Sequence, residues 1–87
     1  MTATDRDLWW RRQFATLLAK EDAGYPPRLL ESRWLLLASR TWPDKRWRVS
    51  FDVPSPIYHL LDDADVRSKS NRYAIQQRAA AREWLNA

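Results

Sequence analysis

The stretch RLLESRWLLLASRTW, residues 28–42, contains the longest unbroken apolar run of the chain, Trp34 to Ala38. Its apolar residues recur at helical spacing, which predicts an α-helix that begins near Pro27 and ends before Pro43. One stripe of this helix consists of Leu30, Trp34, Leu37, Ala38 and Thr41, and Leu29, Leu35 and Leu36 widen it. Because a helix that is apolar over so much of its surface is usually covered from more than one side, we expect a central helix in a mainly α fold.

A second helix is predicted upstream, from about Asp5 to Ala23. Thr4 is the expected N-cap, because Asp7 follows three residues later in a weak variant of the capping box. Gly24 and the rigid turn of Tyr25 and two prolines mark the end of the helix. The face that packs against the core is expected to consist of Trp10, Phe14, Leu17 and Leu18.

The C-terminal part of the chain is predicted to hold two helices separated by a polar loop. Ser55 is expected to cap a short helix that has a proline at its first position. Residues 65–71, DVRSKSN, are interpreted as a loop in which Ser68 or Ser70 caps the next helix. That final helix runs from about Asn71 to Asn86. It is expected to pack through Tyr73, Ala80, Ala81, Trp84 and Leu85.

The segment RWRVSFDVP, residues 46–54, alternates apolar and polar side chains as a β-strand does. The chain offers no second strand for it to pair with. Three arrangements remain open: an extended segment across the helices, pairing with a second copy as a homodimer, or addition to the sheet edge of another protein. The sequence therefore predicts a single helical domain over residues 1–87. It is mainly α, with three to four helices and one short extended or β segment at about 46–53.

The residue types that catalysis needs are scarce. The chain has no Cys and one Gly, which excludes disulfides, Cys-based zinc sites and Gly-rich phosphate loops. Its single His, His59, would neighbour Asp62 and Asp63 on a helix. Without a second His, a solvated acidic helix end is the better interpretation of this cluster. We therefore predict that the protein is not an enzyme and binds no metal or cofactor.

Signals for secretion and membrane insertion are also missing from the sequence. The N-terminal stretch MTATDRDLWWRR is charged from Asp5 onward and has no apolar h-region. The run Trp34 to Ala38 is far too short to span a bilayer. We expect a soluble cytoplasmic protein that does not enter a membrane.

The net charge of +4 is distributed unevenly along the chain. Residues 1–26 are neutral, 27–48 carry a net +4, 49–66 a net −4 and 67–87 a net +4. Two positive segments thus flank a negative one. This polarity suits docking onto another macromolecule, because complementary charge orients the encounter. The negative segment argues against a protein that binds only nucleic acid.

Six Trp residues in 87 suggest a binding surface, because Trp is enriched at interface hot spots. Adjacent Trp9 and Trp10 point about 100° apart on a helix, so a buried Trp10 leaves Trp9 at the core boundary or in water. Arg and aromatic residues are adjacent in the chain at 9–12 and at 46–48. This pattern also arises when Arg stems pack over core rings. The predicted protein interface consists of Trp9, Arg12, Trp47, Arg48, Asp62 and Asp63.

A direct nucleic-acid interface is the main alternative. Its predicted residues are Arg67, Lys69, Arg72, Arg78 and Arg82. Five cations would contact several phosphates, and such binding weakens steeply with salt. The sequence contains no recognisable helix-turn-helix, zinc-finger or RNA-recognition motif, and cations at the start of a helix oppose its dipole.

These observations favour a non-enzymatic regulator or inhibitor that binds a protein or a multisubunit complex, for example one that handles nucleic acid. In size and character, though not in any motif, the chain is similar to the small regulators and inhibitors that phages and mobile elements encode. A permanent structural subunit of a larger assembly is a third interpretation. Such a subunit would fold poorly alone.

Overall fold

Helices dominate the computed structural model of the chain, which describes residues 2–41 and 48–87. The helices of this part are α1 (Ala3–Asp22), α2 (Glu31–Ser39), α3 (Ser55–Asp62), α4 (Ala64–Lys69) and α5 (Asn71–Leu85). A 3₁₀ turn, Pro27–Leu30, leads directly into α2. The prediction of a mainly α fold is confirmed, with five α-helices in the described residues instead of the three to four expected.

The N-cap of α1 is Thr2 and not Thr4. The Thr2 hydroxyl accepts a hydrogen bond from the backbone N–H of Asp5 at 3.1 Å, and the Asp5 carboxylate accepts one from the Thr2 N–H at 3.3 Å. This is a capping box two residues earlier than predicted, and hydrogen bonding to Thr2 lowers the pKa of Asp5. At the other end Gly24 has a φ of 101°, a conformation that favours glycine, so α1 ends where the sequence indicates.

Two predictions are wrong where the chain turns. The first four residues of the helix predicted from Pro27 form the 3₁₀ turn, in which the N–H of Arg28 donates to the Ser68 hydroxyl at 2.9 Å. The polar loop predicted over 65–71 is largely α4, because packing against the 3₁₀ turn outweighs the weak helical signal of this stretch. Ser70 does cap α5, since its hydroxyl accepts from the N–H of Tyr73.

Aromatic rings from three helices form the centre of the core. The rings of Trp10 and Phe14 in α1 stack 5.2 Å apart. Trp34 of α2 and Trp84 of α5 each meet Phe14 edge-on, at 5.5 Å and 5.4 Å. Around them one cluster of aliphatic side chains includes Leu17, Leu18, Leu30, Leu37, Ile57, Leu60 and Leu61. This core joins α1, α2, α3 and α5.

The outer side of α2 differs from the prediction. Trp34 and Leu37 are fully buried against the neighbouring helices. The exposed fraction is 62% for Leu29, 42% for Leu35 and 42% for Leu36. The expectation that these three leucines widen a covered stripe is therefore wrong, because the neighbouring helices cover only the side of α2 that carries Trp34 and Leu37.

Candidate interaction surfaces

A buried ion pair joins α1 to α4. The Arg67 guanidinium lies 2.9 Å from the Glu21 carboxylate, and both side chains are completely buried. Glu21 points inward because it continues the apolar stripe of α1, three residues after Leu18 and seven after Phe14. Arg67 points inward because it lies one turn after the buried Ala64.

Hydrogen bonds satisfy the other polar groups of this pair. The indole N–H of Trp34 donates to Glu21 at 2.7 Å, and Arg67 donates to the Leu60 carbonyl and to the Gln77 side chain. These partners matter because removing two charges from water costs several kcal/mol, which a bare ion pair does not offset. The set that we name the ionic cluster consists of Glu21, Trp34, Arg67, Gln77 and Arg78.

Two cations of the predicted nucleic-acid interface, Arg78 and Arg82, are held against the end of α1. Arg78 lies 3.2 Å from Glu21 and 3.5 Å from Asp22. Arg82 lies 2.6 Å from Asp22 and is about half exposed. Both cations are therefore engaged by carboxylates of the same chain, and a phosphate would have to compete with these carboxylates.

The other three cations of that predicted interface are divided between the interior and the surface. Arg67 belongs to the ionic cluster and offers no surface to a phosphate. Lys69 and Arg72 are exposed. Lys69 lines a cleft of about 640 Å³ beside the 3₁₀ turn, together with Arg28. Three of the five predicted cations are thus exposed, and one of these, Arg82, is paired with Asp22.

The rings next to Arg residues face the core more than the solvent. Trp9 is half-buried and packs against the core cluster, while Arg12 is exposed. The Arg11 guanidinium lies 4.2 Å from the centre of the Phe51 ring and 5.4 Å from that of Trp84. At Arg11 the structure corresponds to the alternative in which Arg stems cover core rings, and the roles of Trp9 and Arg12 as contacts stay predictions.

Residues 48–53 lie across the helices without regular structure. The N–H of Val49 donates to the Arg40 carbonyl at 2.9 Å, and the side chain of Val49 is buried. The N–H of Ser50 donates to the Asp7 carboxylate at 2.8 Å, and the Ser50 hydroxyl donates to the same group. These bonds attach the segment to α1 and to the end of α2.

No β-strand occurs in residues 2–41 or 48–87, so the short strand predicted at 46–53 is not confirmed there. Arg48 is exposed, as a contact residue would be. Trp47 lies outside the described residues. Pairing of this segment with a second copy or with another protein stays a prediction.

The two predicted acidic contacts, Asp62 and Asp63, have different surroundings. Asp62 is exposed. Asp63 accepts hydrogen bonds from the Tyr73 hydroxyl at 2.6 Å and from the Gln77 amide at 3.2 Å. The hydrogen bond to Asp63 raises the pKa of Tyr73, and burial of the phenol adds to the shift. Asp63 therefore ties the junction of α3 and α4 to α5.

His59 lies on the surface beside a cleft of about 650 Å³ that Arg48, Ser55 and Tyr58 also line. Burial raises the pKa of Tyr58, and the charge of Asp62 adds to the effect. Within the described ranges no three His, Cys, Asp or Glu side chains converge as metal ligands would. None of the described helices combines the length and the apolar character that crossing a membrane requires.

The exposed leucines of the 3₁₀ turn and α2 were not predicted as contact residues from the sequence. We name Leu29, Leu35 and Leu36 the leucine face. A signal was available: apolar residues surround most of this helix, and a chain of 87 residues has few elements with which to cover every side. The ionic cluster was missed as well, although Glu21 falls on the apolar stripe of α1.

Comparisons with known proteins do not place the chain in a family. No protein-family description matches it, and neither a curated protein nor a solved structure gives a match. Its function therefore has to be argued from its surfaces alone.

Proposed function

We propose that the protein is a non-enzymatic regulator or inhibitor that acts by binding another protein. The leucine face carries this proposal, because the 3₁₀ turn exposes Leu29 and α2 exposes Leu35 and Leu36, six and seven residues further along the chain. Scattered single apolar residues are normal on a surface, but neighbouring ones indicate an interaction site. The small size and the Trp- and Arg-rich composition, which resemble those of regulators from phages and mobile elements, support the same interpretation.

Protein is the favoured partner over nucleic acid for two reasons. Arg67, Arg78 and Arg82 share two carboxylates of the chain, so the three cations offer a phosphate a net charge of only +1. Base stacking needs accessible rings, yet Trp10 and Trp34 have no exposed surface, and Trp9 and Trp84 pack partly buried against the core. The remaining surface cations suit acidic groups of a protein as well as they suit phosphate.

The test is affinity purification of the tagged full-length chain from cells that express it, with and without nuclease treatment. We expect a partner protein that is retained in a fixed ratio to the bait after nuclease digestion. Fluorescence anisotropy with labelled single- and double-stranded oligonucleotides is measured in parallel. Capture that depends on nucleic acid, with oligonucleotide binding that persists at physiological salt, would overturn the proposal and favour the nucleic-acid alternative.

The variant Lys69→Glu/Arg72→Glu is the matched control for the second measurement. If the protein binds nucleic acid, reversing these two exposed cations should reduce the affinity and lower the slope of log K against log salt. If it binds protein through α2, the same variant should keep its partner.

A further inference from the structure

We propose that the leucine face binds one amphipathic helix of the partner, with apolar residues at its centre and Asp or Glu along its edges. This inference rests on the proposed function and names the chemistry of its partner. A docked helix presents anchors at positions i, i+3 or i+4, and i+7. The leucine face offers matching contacts over two turns.

The spacing of the leucines supports a helix as the occupant. Leu29 and Leu36 are seven residues apart and both exposed, while Leu30 and Leu37, one residue further along, are both buried, so the exposed side of the 3₁₀ turn continues into α2. Leu35 lies beside Leu36, rotated by about 100°, and broadens the surface to the width that a second helix contacts.

The charges that border the leucine face select an acidic partner. Arg28 is exposed next to Leu29, and Arg33 is exposed in α2 between Leu29 and Leu36 in sequence. Glu31 is the one carboxylate in residues 27–41. Guanidinium groups bind carboxylates with two parallel hydrogen bonds, so acidic edges on the partner would fix its orientation.

A second copy of the chain fits this surface poorly. Its exposed acidic residues include Asp62 and Asp65, whose exposed apolar neighbour is Val66. The larger apolar side chains of α3, Ile57 and Leu60, are buried. This acidic region of a second copy therefore presents charge without the row of large apolar side chains that would fill the space between the leucines.

The test is selection from a displayed library of random 16-residue peptides against the full-length protein, followed by fluorescence anisotropy of the enriched peptides. We expect enriched sequences with apolar residues at helical spacing and an excess of Asp and Glu. Leu35→Asp/Leu36→Asp should weaken their binding at least tenfold. Arg33→Glu should weaken it less and reduce its dependence on salt.

The matched control is Leu8→Asp/Ile75→Asp, which adds the same two charges at exposed apolar residues of α1 and α5, 46% and 54% exposed. It should leave peptide affinity unchanged, and circular dichroism checks that each variant is folded. No enrichment, enrichment of neutral or basic peptides, or equal binding by Leu35→Asp/Leu36→Asp would overturn the inference. A dimer in light scattering that this double variant dissociates would assign the face to a second copy instead.

The failure of this inference and that of the proposed function are distinguishable. If Leu35→Asp/Leu36→Asp still captures the nuclease-resistant partner, the protein binds its partner elsewhere, and the proposed function stands without the leucine face. If the unaltered chain captures no protein, the proposed function fails whatever peptides the library yields.

Discussion

The ionic cluster and the leucine face reverse the usual distribution of charge and apolar surface. Glu21 and Arg67 are completely buried, whereas Leu29, Leu35 and Leu36 stand 42% to 62% exposed. Charged residues are almost never fully buried unless they are paired, and neighbouring exposed leucines commonly mark a binding site. The two regions lie on the same helical scaffold, since Trp34 of α2 donates to Glu21 while Leu35 and Leu36 face solvent.

The difference between the two regions distinguishes residues that stabilise the fold from exposed residues that can contact a partner. The cluster connects α1, α2, α4 and α5 through hydrogen bonds with defined geometry, which apolar packing alone would not provide. The leucine face has no such partners among the described residues, so changing it should leave the fold intact.

The largest effect is expected at Glu21. Glu21→Ala leaves the Arg67 charge buried without its carboxylate and the Trp34 N–H without an acceptor, which should lower the free energy of unfolding by about 3–5 kcal/mol. Urea denaturation measures this loss. Asp22→Ala, which removes the neighbouring exposed carboxylate, should cost about 1 kcal/mol or less. Similar losses for the two variants would contradict a structural role for the ionic cluster.

A smaller effect is expected at the edge of the cluster, where Gln77 links it to Tyr73 and Asp63. Tyr73→Phe should lower the free energy of unfolding by about 1 kcal/mol at neutral pH, because it removes the hydrogen bond to Asp63. The native pKa of Tyr73 is raised above its ordinary value of 10.0. The stabilisation is therefore complete below pH 10 and is lost as the pH rises through the native pKa.

The pH dependence is measured as the difference in unfolding free energy between the unaltered chain and Tyr73→Phe from pH 7 to pH 11. This difference should shrink above pH 10. Tyr25→Phe, at a tyrosine that is 50% exposed, serves as control and should change stability by less than about 0.5 kcal/mol at every pH. If the difference in unfolding free energy stays constant up to pH 11, the hydrogen bond to Asp63 does not raise the pKa of Tyr73.

The smallest effect is expected on the leucine face. Leu36→Gln should change the free energy of unfolding by no more than about 0.5 kcal/mol, because the side chain is 42% exposed and Gln favours helix nearly as well as Leu. Leu37→Gln is the matched comparison one residue away, at 1% exposure. It should cost about 3 kcal/mol or more, since it buries an amide where the core is apolar. Equal losses of unfolding free energy for the two variants would mean that α2 is covered on both sides.

Local signals in the sequence predicted much of the fold. The inward face of α1, its end at Gly24 and the cap at Ser70 all depend on neighbours within a few residues, which the sequence displays directly. The 3₁₀ turn and α4 were not predicted, because each is stabilised by contact with the other across the chain, as in the bond from Arg28 to Ser68.

The ionic cluster and the leucine face were harder to predict, because the burial of each residue depends on which other helices pack over it. Arg67 has the same residue type as Arg72, but its carboxylate partner is 46 residues away in α1 and no local pattern reveals it. Leu36 and Leu37 are identical in type and adjacent, yet one faces solvent and the other the core. Periodicity shows that a helix is apolar on several sides, but not which side lacks a neighbour.

The ionic cluster also bears on the order in which the chain folds. Its central bonds join α1 to α4 over 46 residues and α1 to α5 over 57, so they can close only after these helices have docked. Contacts that are completed late are weakly formed in the folding transition state. The ion pair between Glu21 and Arg67 should therefore slow unfolding of the native state and leave the folding rate nearly unchanged.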